Sequence, residues 1–126
     1  MKKALLILCA VMMITGWYSC TKDTAPTASG SAVCDSTKVS YVKDIKPIFA
    51  ASCAVPGCHD ASTRQDGLDY AQYADSKISM QSTGNASLLC RIKGSTCGIM
   101  MPEGADPLPD STIQLITKWQ SDGFCN

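Results

Sequence analysis

Histidine occurs once in this chain of 126 residues, at position 59. A single imidazole excludes a histidine pair working as acid and base, and any site that needs two imidazoles on one ion. There is no Ser/His/Asp set, and the carboxylates are scattered singly, so the expectation is a protein that is not an enzyme. Charge of one sign is also missing, with 11 basic and 11 acidic residues. Without a basic stripe to neutralise phosphates, nucleic acid is not expected as a partner. Strand-like alternation never lasts beyond a few residues, and no internal repeat is present. These absences leave an all-α class with long loops. Finally, no apolar run reaches the length of about 18 residues that would suggest a spanning helix.

The longest apolar run that does exist, Ala4 to Tyr18, follows Met1-Lys2-Lys3. A basic start before a short hydrophobic segment reads as an export signal, so residues 1–19 are set apart from the fold. Ser19-Cys20 resembles the lipobox of bacterial lipoproteins, which implies cleavage ahead of a lipid-modified Cys20 and anchorage to a membrane through it. Trp17 and Tyr18 depart from the usual lipobox, and the alternative is an ordinary secretory signal with a later cut. Both readings place the mature protein outside the cytoplasm, with the periplasmic face expected. Loss of Lys2 and Lys3 turns 11 basic residues into 9 against 11 acidic ones, a formal −2. Residues 20–39, rich in Thr, Ser, Ala and Gly without apolar period, read as a flexible tether. Residues 40–126 then form one small domain, of a size that commonly needs a staple.

Cysteine is abundant, with eight in all. Cys9 falls in the signal and Cys20 is the lipid candidate. Cys53-Ala54-Val55-Pro56-Gly57-Cys58-His59 places two thiols and the lone imidazole in the order of the haem-attachment string C-x-x-C-H, with four intervening residues instead of two. Both thiols could add to porphyrin vinyl groups while His59 takes the proximal position on iron. A zinc site, iron–sulfur ligation, or a Cys53–Cys58 disulfide with His59 as an ordinary polar residue are the competing readings. Zinc is disfavoured because exported thiols tend to oxidise, and the cluster because a nearby third cysteine is lacking. Cys34, Cys90, Cys97 and Cys125 remain, an even number suited to disulfides. Four cysteines allow three pairings, and the expected ones are Cys90–Cys97 and Cys34–Cys125.

Three to four short helices are expected. Ser40 caps the first, whose apolar positions include Ile45, Ile48 and Phe49, and Pro47 requires its regular part to start close by. It delivers Cys53 to its end, where Pro56-Gly57 forces a turn. Residues 67–73 read as an irregular or one-turn segment whose Leu68 and Tyr70 could pack on a haem edge or simply on the loop. Asn85 to Gly94 reads as a short helix with Leu88, Leu89 and Ile92 on one face. The last helix runs from about Asp110 to Ser121, with Ile113, Ile116 and Trp119 as its stripe and Gly123 beyond its end. If His59 binds iron, the thioethers available for the opposite position are Met80, Met100 and Met101. Met80 lies in a polar stretch without a rigid frame, whereas the other two stand beside Pro102.

Tyr41-x-x-Asp44-Ile45-x-Pro47-Ile48-Phe49, Gly67-Leu68-Asp69, Ser87-Leu88-Leu89, Met101-Pro102 and Trp119, together with the attachment segment, resemble class I c-type cytochromes. The likeness is to the small exported modules of Planctomycetes and Bacteroidetes, and it covers residues 40 to 124. It implies a cytochrome c-like fold around one covalently bound haem c, with Cys53 and Cys58 as thioether sites. His59 and Met101 would be the axial ligands, and the activity one-electron transfer to other redox proteins. The four-residue spacer departs from the common motif and is similar to a variant of some multihaem cytochromes. A gas-sensing haem module with an open sixth position, or a haem-free binding module held by disulfides, is the alternative.

Overall fold

The computed structural model describes residues 34–94 and 96–126, all within one unit, Ser31–Asn126. The first element is set by Ser40, whose hydroxyl accepts the Lys43 N–H at 3.3 Å while its own N–H is held by the Asp44 carboxylate at 2.8 Å. Reciprocal capping of this kind satisfies donors that a helix start leaves orphaned. Pro47 has no N–H to give, and the chain opens with a wide π-helical turn, Tyr41–Ile45, closed by the Lys46 N–H on the Tyr41 carbonyl. A regular helix α1, Lys46–Ser52, continues from it with Pro47 in its first turn, where proline is tolerated. Ile45 and Phe49 are fully buried on one face.

Helix α2, Tyr73–Gln81, is an element that the sequence does not announce. Its buried positions are Ser76, Ser79 and Met80, so two of three inward side chains carry hydroxyls and the apolar period is lost. Both hydroxyls are satisfied locally, Ser76 on the Gln72 carbonyl at 2.8 Å and Ser79 on the Ser76 carbonyl at 2.9 Å. Back-bonding of this type lets serine sit inside without an unpaired group. Met80, read from sequence as loosely framed, is in fact 2% exposed, and its carbonyl accepts from the Gln120 amide at 3.4 Å.

Helix α3, Leu88–Ile92, is capped by Ser87, and helix α4, Asp110–Ser121, starts directly after Pro109. Leu88, Ile92, Ile116 and Trp119 are buried as their spacing predicts. Among the described residues there is no strand, only an isolated bridge between Ser40 and Cys125, so the class is all-α. That bridge closes the two ends of the unit. The Cys125 carbonyl accepts from the Tyr41 N–H at 2.7 Å and from the Trp119 indole at 2.8 Å, and Cys125 is bonded to Cys34. Tyr41, Tyr73, Phe124 and Trp119 gather around this closure with ring centroids 5.0 to 6.0 Å apart. Residues 34–39, given to the tether by composition, are therefore held at the fold by the disulfide and by buried Val39. The second bond, Cys90–Cys97, ties α3 to the loop that follows. Both expected pairings are thus present.

Candidate functional site

Phe49 at the heart of α1 fixes where Cys53 emerges, since its carbonyl accepts both the Cys53 and Ala54 N–H groups at 2.8 and 2.7 Å. Gly57 then takes φ +87°, the left-handed conformation that glycine adopts freely, and the chain reverses. The reversal is locked by the His59 N–H on the Cys53 carbonyl at 3.1 Å, which brings the two thiols and the imidazole onto one short loop.

Cys53 is buried and Cys58 exposed, and neither is in a disulfide. Burial, with a smaller contribution from neighbouring Cys58, pushes the Cys53 thiol up to about 12, so it stays protonated and neutral at physiological pH. The Cys53–Cys58 disulfide weighed from sequence is therefore not formed here. His59 is 8% exposed, and its ring stands edge-on to Tyr70 at 5.0 Å, which in turn meets Phe49 at 5.2 Å. Its Nδ1 lies 2.8 Å from the Gln65 carbonyl oxygen. A carbonyl can only accept, so Nδ1 carries the proton, and in the neutral ring the lone pair is on Nε2.

These groups line a cavity of about 1230 Å³, larger than the usual span of small-ligand pockets, about 300–1,000 Å³. Cys53, Cys58, His59, Leu68, Tyr70 and Met101 all contribute to its wall. The structure thus brings together every residue that the sequence nominated for the cofactor, drawn from segments up to 48 positions apart, Cys53 to Met101. Met80 and Met100 do not line it: Met80 is in the core, and the Met100 sulfur sits 3.1 Å from where a Cβ on Gly94 would be. Met101 is set by α3, its N–H donating to the Arg91 carbonyl at 3.1 Å, next to Cys90 of the second disulfide.

A haem c would find in this wall the donor types that it uses: two unpaired thiols, one imidazole with its distal nitrogen uncommitted, and one thioether. The outer partner is also present, because an iron- or zinc-binding histidine ordinarily gives its other N–H to a carbonyl or carboxylate. No group of three or more His, Cys, Asp and Glu side chains suited to a metal ion occurs among the described residues. The zinc-type donor set considered from sequence is therefore not assembled there. The donor types in the wall are those that a haem c would use.

Sequence reasoning missed Gln65, for a physical reason. Its contribution is a backbone carbonyl, which any residue type possesses, so nothing in the side-chain pattern marks it. Asp69 was named only within the Gly67-Leu68-Asp69 string, and its burial, 2% exposed, and its place in the same loop were not read. The export signal and the lipid candidate Cys20 lie outside the described residues. Among those described, no helix is long and apolar enough to cross a membrane. Comparison of the chain with family models, with curated proteins and with solved structures finds no match.

Proposed function

We propose that the chain is an exported one-electron carrier with a cytochrome c-like fold and a single covalent haem c. In this reading Cys53 and Cys58 hold the porphyrin through thioethers, and His59 and Met101 hold the iron. The observation that carries the reading is the convergence of both unpaired thiols, the only imidazole and Met101 on one cavity. When bound, the haem supplies a one-electron couple, and a Met ligand raises its potential relative to an iron held by two histidines. The chain supplies the rest. The Gln65 carbonyl favours the Nδ1–H tautomer of His59, so Nε2 would be the nitrogen offered to iron. Leu68 and Tyr70 offer apolar surface against the porphyrin and exclude water. Cys90–Cys97 and the Arg91 carbonyl hold the Met101 segment in place. Lipid anchorage at Cys20 would keep the carrier on the periplasmic face, where larger redox proteins are its partners.

The test is expression with the native signal in a host that matures c-type cytochromes. Haem stain must survive a reducing denaturing gel, the mass must rise by one haem, and the stain must be diminished in Cys58→Ser. A full-length exported protein without stain, whose purified apoprotein also gives no haem spectrum on titration with haemin, would refute the proposal. Carbon monoxide binding by the reduced form would instead favour an open sixth position and a gas-binding role.

A further inference from the structure

The segment that presents the Gln65 carbonyl to His59 is built in an unusual way. Arg64 and Asp66, on either side of Gln65, have φ of +46° and +56°, and Gly67 follows at +77°. Residues with a Cβ adopt this left-handed backbone mainly when their surroundings hold them there. The holder is visible. One Arg64 guanidinium nitrogen donates to the Gly67 carbonyl at 3.0 Å and to the Asp75 carboxylate at 2.9 Å, and another lies 3.8 Å from Asp69. The same Asp75 oxygen accepts the Asp69 N–H at 2.9 Å, and Asp69 accepts the Ala71 N–H at 2.9 Å. Arg64 therefore joins the loop to the start of α2. The Gln65 peptide itself faces the attachment segment from both ends, its N–H on the Cys58 carbonyl at 3.0 Å and its C=O on the His59 ring.

Arg64 is 45% exposed, and an isolated ion pair so placed contributes little to stability. Its geometry has a more specific consequence. We propose that Arg64, acting through Asp75 and the Gln65 peptide, is a positioning residue that keeps the His59 imidazole as the Nδ1–H tautomer, with Nε2 available to iron. This inference rests on the haem reading for its purpose, but not for its measurement.

His59 is the sole histidine, so an untagged full chain labelled with ¹⁵N-histidine gives one imidazole spin system that needs no assignment. It is recorded on haem-loaded and haem-free protein at pH about 9, where imidazoles are neutral. The native chain should show a slowly exchanging Nδ1–H cross-peak. Arg64→Ala and Asp75→Asn should accelerate exchange of that proton about tenfold, the factor expected when one net hydrogen bond is lost. In the haem-free form they should also shift the ring towards the Nε2–H tautomer that free histidine favours. Arg64→Gly removes the guanidinium but accepts the left-handed backbone, so it preserves folding and isolates the clamp. If Arg64→Gly keeps the native cross-peak and exchange rate, the positioning role is overturned. Absence of haem stain would overturn the haem reading and leave this measurement standing by itself.

Discussion

Native alkylation separates the two candidate attachment thiols, and its outcome follows from burial. In the haem-free chain only the thiolate attacks iodoacetamide. With the Cys53 thiol pushed up to about 12, roughly one molecule in ten thousand carries its thiolate at pH about 8. Its side chain is also 7% exposed, which slows access further. Cys58 is exposed, so the reagent reaches it from solvent. Native alkylation should therefore be faster at Cys58 by about tenfold or more, even though the rarer Cys53 thiolate is the more nucleophilic one. Timed quenching followed by peptide mass mapping measures both rates in one sample. In denaturant the ratio should collapse to within a few fold, because the cause is tertiary. Once haem is attached, both cysteines should resist the reagent, native or denatured. Equal native rates at the two cysteines, in protein whose circular dichroism shows it folded, would refute the burial argument and with it the structure of the attachment loop.

The methionines divide the site from the core. Met101→Ala should abolish the far-red sulfur-to-iron band of the oxidised haem protein and Met100→Ala should leave it. Met80→Ala should leave the band but cost about 2–5 kcal/mol in urea unfolding, as buried methionine truncations do. Cys34→Ala removes the first cross-link. Its partner lies 91 positions away, and in the chain-entropy model the loss is about 4.6 kcal/mol, against about 2.5 for Cys90→Ala, whose partner is 7 away. Denaturant midpoints at fixed haem content check the order. Alkaline stability carries a definite sign. The Cys53 thiol and the Tyr70 phenol are both raised by burial, from 9.0 and 10.0 to about 12, so the folded state holds protons that the unfolded state releases. Haem-free protein should be at full strength below pH about 9 and lose stability progressively from there to about 12. A flat unfolding free energy across that window would contradict the burial of both groups.

Much of the site was legible because its chemistry is carried by side chains that are scarce. One histidine beside a cysteine, a second cysteine upstream and a methionine before proline stand out by type and order, and the fold gathers them on one wall. That four cysteines remained for two disulfides followed from arithmetic once Cys53 and Cys58 were set aside, whereas the arithmetic itself left three pairings open. Helices α1, α3 and α4 were legible because Ile45, Phe49, Leu88, Ile92, Ile116 and Trp119 keep the helical period on an inward face. Helix α2 was not, because Ser76 and Ser79 face inward and bond their own turn, which erases the apolar period without costing an unpaired group.

The sequence by itself determined the order of the scarce thiols, imidazole and thioethers, the all-α class and the cap of the first turn at Ser40, since those depend on the residue in place and its near neighbours. Only the tertiary structure decided the burial that separates Cys53 from Cys58 and put Met101, but not Met80, on the cavity wall. It alone also placed the Gln65 carbonyl on His59. Desolvation, cavity walls and backbone acceptors are properties of what packs around a residue, and segments distant in the chain supply them.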